Sequence, residues 1–218
     1  MSGGGTRVFL ALEGFLYAGF LLLDLSGQGR GWSVALKYAS ILLCVAFAWT
    51  RARDGDGRLV GAALVGTAAA DLCLLVLDRW YLAGVAAFCA VQCLYWVRIL
   101  RLRRWRGWRG SLACRTGLIL AVGGLLALLG ALEPLTAAAA VYVSQLAANT
   151  AESFSQRDRR FSLGLLLFLC CDLCVGLHNL PDFLPGVGGG GLFAFAAVGM
   201  WLFYLPSQVL ITLSIGKE

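Results

Sequence analysis

The chain has 218 residues, 60% of them hydrophobic and 14% charged, and a net charge of +6. A soluble domain carries far more charge than this, and eight bilayer spans of about 20 residues use most of the length, so a soluble enzyme is excluded. The single histidine excludes a metal site built on two or more imidazoles, and the absence of a G-x-S-x-G elbow removes serine-hydrolase chemistry.

A window of about 19 residues predicts spans at 7–24, 33–50, 59–77, 81–100, 112–131, 135–151, 161–180 and 191–214. The first run carries Glu13, lacks an A-x-A cleavage site and continues to Leu25, so it reads as a retained span rather than a signal peptide. The third is dense in small residues (Gly61, Ala62, Ala63, Gly66, Ala68, Ala69, Ala70), which let helix backbones approach closely and place it at the centre. The last contains Pro206, which removes a backbone donor and leaves the carbonyl of Leu202 without its helical partner. The expected fold is all-α: a polytopic membrane bundle of eight transmembrane helices forming one domain over residues 1–218.

Basic residues near span ends stay on the cytoplasmic side. The N-terminus, the even-numbered loops and the C-terminus hold fourteen Lys and Arg, against two (Arg30 and Arg79) in the odd-numbered loops. Both termini are therefore expected in the cytoplasm, with the plasma membrane as the location. The densest stretch, RILRLRRWRGWRG at 98–110, reads as Trp105 and Trp108 at the interface with arginines on anionic head groups, not as a nucleic-acid site. The eight cysteines lie in apolar runs and read as buried thiols rather than bridges. Cys171, Cys174 and His178 have a spacing that permits metal ligation, but without a second histidine no metal is expected. The run Gly188 to Gly191, after Pro185 and Gly186, reads as a connector.

An ionisable side chain in hydrocarbon costs about 2.5–3.5 kcal/mol, so each needs a partner or a cavity. Glu13, Lys37, Asp71, Arg115 and Asp172 fall in spans, with Gln92, Tyr95, Gln145, Asn149, His178, Tyr204 and Gln208 as uncharged company. Glu13 and Arg115 lie near span ends and are expected to snorkel. At about 1.5 Å per residue, Asp71 and Asp172 both fall roughly 10–12 Å below the outer face, with Lys37 entering from the same side. The expected site is a polar pocket open toward the outer half, with Asp71 and Asp172 at its floor. Burial favours the neutral form of a carboxylic acid, and a second carboxylate nearby leaves one of the pair protonated and the other free to act as base.

The segment GTAAADLCLLVLDRWYLAGVAAFCAVQCLYWVRI (66–99), SLGLLLFLCCDLCVGLHNL (162–180), FYLPSQVLITLS (203–214) and Lys37 together resemble the YhhN-like lysoplasmalogenase family, in order and over about 33 to 214. Ala70, Cys171, Tyr38, Gln92 and Leu205 stand where that pattern has glycine, serine, proline, histidine and tyrosine. The resemblance implies hydrolysis of the vinyl ether bond of a lysoplasmalogen to a fatty aldehyde and a glycerophospho-alcohol. It implies Asp71 and Asp172 as the acid and base pair, Lys37 on the phosphate, and Gln92, Tyr95, Tyr204 and Gln208 lining the substrate. No metal or organic cofactor is needed, and the partners are a lysophospholipid substrate and membrane lipids, without nucleic acid or an obligate protein partner. The rival readings are a small-solute or lipid transporter, which predicts an inverted repeat and helices broken near the midplane, and a non-catalytic lipid-binding protein, which predicts binding without aldehyde release.

Overall fold

The computed structural model describes residues 3–183 and 190–216. Pro185, Gly186, Gly188 and Gly189 of the expected connector lie outside them. Eight α-helices follow one another: α1 (Gly3–Ser26), α2 (Arg30–Arg51), α3 (Gly55–Asp71), α4 (Tyr81–Leu102), α5 (Trp108–Leu128), α6 (Pro134–Ser153), α7 (Arg159–Phe183) and α8 (Gly191–Leu213). No strand interrupts them among the described residues. A five-residue π-helix, Leu72–Val76, extends α3.

Turn chemistry sets several boundaries. Gly27 and Gly29 take left-handed φ of 67° between α1 and α2, a region glycine enters without strain. Asp54 caps α3 by accepting from the Gly57 amide at 2.6 Å. Glu133, Pro134 and Thr136 form a capping box with proline in the first turn of α6. One departure from expectation stands out at the ends: the seventh helix runs three residues past its predicted end and carries Pro181 within it.

Seven of the eight helices are long and apolar enough to cross a membrane, and the chain is an integral multi-pass membrane protein. α6 falls short because hydropathy averages a whole circumference. It packs against α4, α5 and α7, and Ser144, Asn149, Thr150 and Ser153 are buried there rather than turned to lipid. The outer surface is as apolar as the interior: Phe15 is 76% exposed and Leu128 87%, a pattern that suits hydrocarbon and not water.

α3 is central, as its composition predicts, touching α2, α4 and α8. A Cβ on Gly66 would stand 2.8 Å from the Val91 side chain, and one on Gly164 would stand 3.1 Å from the Ser207 carbonyl. Small residues thus set the α3–α4 and α7–α8 spacings. One core draws on α1 through α4 and α6 through α8, with Phe20, Leu64, Tyr95, Phe161, Phe168 and Ile211 among its members. Phe9 near the start of α1 packs with Leu213 at the end of α8, so both termini lie at one end of the bundle.

The carbonyl that Pro206 leaves without an amide is compensated from another helix. The Tyr17 hydroxyl on α1 donates to the Leu202 carbonyl at 3.1 Å, the acceptor that proline strips of its own partner.

Candidate functional site

Asp71 is the last residue of α3, at the junction with the π-helix. There the backbone bond lengthens by one residue, from the Leu77 amide to the Leu72 carbonyl at 2.9 Å, and π segments of this kind recur at functional positions. Leu74 presses onto α4 at Gly84, where a Cβ would come within 2.5 Å of Leu74 Cγ. Asp71 itself is 5% exposed and accepts from the Tyr204 hydroxyl at 2.7 Å.

Asp172, in the middle of α7, has a matching arrangement. Its Oδ2 accepts from the Tyr142 hydroxyl of α6 at 2.5 Å. Phe168, one turn earlier on α7, stands edge-on to both tyrosine rings, at 5.4 Å from Tyr204 and 6.4 Å from Tyr142. Phe168 thus meets both of the tyrosines that hold the two carboxyls. Cys171, next to Asp172 in the chain, is buried.

Tyr142 is absent from the residues that the sequence singles out. Its signal was nonetheless present: Tyr142, Gln145 and Asn149 repeat at three and seven residues, one stripe of a helix, in a segment otherwise rich in alanine.

The remaining sequence candidates divide. Tyr204 meets Asp71 directly, and Gln208 follows one turn later on α8 with its Oε1 buried and without a protein partner. Thr67, one turn before Asp71, and Tyr95 on α4 likewise carry buried hydroxyls without a partner, and Tyr95 packs edge-on to Phe161 at 5.5 Å. Lys37 does not reach the acids. Its ammonium pairs with Asp24 at 2.8 Å and lies 4.9 Å from the centre of the Trp201 ring, which in turn stands edge-on to Tyr204 at 5.1 Å. One indole separates lysine from the acid cluster. Gln92 belongs elsewhere too: its carbonyl and Oε1 both accept from Asn149 Nδ2, at 2.9 and 2.8 Å.

Around the acids, Asp71 and Tyr204 are buried and Asp172 is half-buried. A concavity of about 640 Å³ lies at the other end of the bundle beside Phe154, Arg157, Arg159 and Ser162. Three further expectations need correction. Arg115 does not snorkel but is buried, donating to Asn149 Oδ1 at 2.9 Å and pairing with Glu152 at 3.2 Å. This supplies the partner that a charge at this depth requires. Glu13 is buried as well, accepting from the Cys44 thiol at 3.4 Å with its second oxygen unpartnered. The cysteines are all free, yet Cys93 and Cys114 are exposed rather than buried; on an outer surface made for lipid, a thiol is an acceptable apolar group.

Arg98, counted in the basic loop, is a buried hub. It takes Asp56 in a two-pronged grip at 2.8–3.1 Å, reaches Asp158 at 3.3 Å and Ser214 Oγ at 2.8 Å, and stacks over Phe161. It joins α3, the α6–α7 turn and the end of α8 at the end of the bundle that holds the termini.

The YhhN family model matches residues 32–215, and the chain belongs to that family. No curated protein and no solved structure matches it.

Proposed function

We propose that this YhhN family protein is a membrane-embedded hydrolase that cleaves the vinyl ether bond of lysoplasmalogens, with Asp71 and Asp172 as its acid and base. The observation that carries the reading is the pair of carboxyls on separate helices, each held by a tyrosine, with Phe168 edge-on to both tyrosine rings.

A vinyl ether hydrolyses when a proton is delivered to the alkene carbon remote from oxygen. The π electrons form the new C–H bond and the ether carbon becomes an oxocarbenium ion. A neutral carboxylic acid supplies that proton, and the partner carboxylate stabilises the cation and removes a proton from the attacking water. The resulting hemiacetal breaks its C–O bond, returning a proton to the glycerol oxygen and releasing the aldehyde. No redox step or cofactor enters this balance. Tyr204 and Tyr142 fix one oxygen of each carboxyl, which leaves the other free to face substrate. Thr67, Tyr95 and Gln208 supply buried polar atoms that suit the water or the glycerol hydroxyl, and the plasma membrane remains the proposed location, with both termini cytoplasmic.

The test is incubation of purified protein with a lysoplasmalogen and with its saturated alkyl-ether analogue. Aldehyde is expected from the first alone, and is expected to vanish in Asp71→Asn and Asp172→Asn. Aldehyde production indifferent to both substitutions would remove the pair from the chemistry.

One observation favours the transporter reading, in which the acids carry protons or cations. The α-helical ladder of α3 breaks at Asp71, as helices do around transported ions. Proton-coupled uptake into vesicles without aldehyde release would select it.

A further inference from the structure

The polar cluster at the α1–α2 turn plays no part in the acid chemistry. Lys37 pairs with Asp24 at 2.8 Å, and the Ser33 hydroxyl donates to the other oxygen of Asp24 at 2.5 Å. The lysine side chain is 10% exposed and that of Asp24 26%. The ammonium also faces two aromatic rings, Trp201 at 4.9 Å and Phe20 at 5.6 Å. Here a cation already lies against two π faces and a carboxylate, at the end of the bundle opposite the termini.

Two opposite charges in one partly dehydrated place constrain what can bind there. A phosphate taken by Lys37 alone would strand Asp24 as an uncompensated carboxylate beside apolar rings. An ammonium taken by Asp24 alone would strand Lys37 in the same way. Either outcome carries the cost of an unpaired charge in a poorly solvated site. A ligand bearing both charges avoids it, because each partner of the broken pair receives a replacement.

We propose that the Lys37–Asp24 ion pair is an exchangeable head-group subsite: it opens to a zwitterionic phospho-amino-alcohol, with the phosphate on Lys37 and the ammonium on Asp24 and the faces of Trp201 and Phe20. The proposal rests on the reading of this protein as a lysophospholipid enzyme, and it makes Asp24 the specificity-determining residue. Trp201 connects the subsite to the acids, since the same ring meets Lys37 on one side and Tyr204 on the other. A bound head group would place the sn-1 ether beyond that indole. Asp24 precedes the segment 32–215 that matches the family model, so its role belongs to this chain's own first helix.

The experiment uses the full-length protein in neutral nanodiscs and two non-cleavable lipids, a saturated alkyl-ether lysophosphocholine and the corresponding lysophosphatidate, each displacing a labelled copy of the first. Wild type is expected to favour the zwitterion about tenfold, the size of one ammonium held by a carboxylate and aromatic faces. Asp24→Asn is expected to abolish or invert that preference, because a released Lys37 favours the dianion. Asp24→Glu is expected to retain it. Equal binding of the two lipids to wild type, or failure of both to bind, overturns the proposal without any variant. So does an unchanged preference in a folded Asp24→Asn protein. Displacement by glycerophosphocholine at the concentrations that suffice for the lipid would overturn a lipid occupant in favour of a soluble head group. Because these lipids cannot be cleaved, selective binding without aldehyde release from a vinyl ether would sink the hydrolase reading and leave the subsite standing.

Discussion

The Tyr17 hydroxyl donates to the Leu202 carbonyl at 3.1 Å, across two helices 185 residues apart in the chain. Pro206 makes that bond necessary. In lipid no water can serve the carbonyl that the proline leaves without an amide, so a side chain from α1 does so. The bond also ties α1 to the helix that carries Tyr204.

Tyr17→Phe keeps the ring, which stands edge-on to Phe20 at 5.3 Å, and removes the hydroxyl alone. Thermal unfolding in detergent is expected to show a loss of about 1 kcal/mol. A wild-type unfolding curve would mean that the Leu202 carbonyl finds another donor.

Tyr142→Phe and Tyr204→Phe test whether the hydroxyls position the acids. Each is expected to lower kcat for aldehyde release by about 100-fold, the scale of an ångström-sized misplacement of a reacting group, while KM stays near its wild-type value. A loss confined to KM would reassign the tyrosines to substrate contact.

Much of this architecture could be read from the chain. Apolar runs broken by Arg, Gly and Pro placed the eight helices within a few residues, because the bilayer imposes one length on all of them. The small residues of α3 marked it as central for the same physical reason. Depth counting put Asp71 and Asp172 at one level, and the structure hangs each on a tyrosine whose ring meets Phe168. What could not be read depends on which helix faces which. Lys37 pairs with Asp24 because α1 and α2 are neighbours, yet Asp24, at the last position of the predicted first span, was not among the polar residues that the sequence singles out. Arg98 and Arg115 were assigned by position along their helices, whereas their burial is decided by Asp56, Asp158 and Glu152 arriving from elsewhere. The π-helix after Asp71 has no signature in Leu72–Val76. Within it, Leu74 meets a bare backbone at Gly84.

The Arg98 hub predicts a stability effect far from the acids. Arg98→Ala leaves Asp56 and Asp158 without their shared partner, and the expected loss is about 3 kcal/mol, the scale of a broken buried pair. Arg98→Lys keeps the charge but not the fork that grips Asp56 with two nitrogens, so it is expected to recover only part of the loss. Denaturant unfolding followed by circular dichroism checks both. Equal stability of the lysine variant and wild type would show that charge alone suffices.

Gly164 separates packing from chemistry. An alanine there would meet Ile211 Cγ1 at 2.7 Å and the Ser207 carbonyl at 3.1 Å. Backbone cannot yield as a side-chain tip can, so α7 and α8 must part. The expected destabilisation is about 1–3 kcal/mol, the usual range for overpacking. Because Asp172 rides on α7 and Tyr204 on α8, the same shift is expected to lower aldehyde release more than it lowers lipid binding. Gly123 is the control: a Cβ there meets nothing within 4 Å, so Gly123→Ala should leave both measurements at wild type or slightly stabilise the helix. If Gly164→Ala and Gly123→Ala behaved alike, the spacing between α7 and α8 would not be what holds the two acids in register.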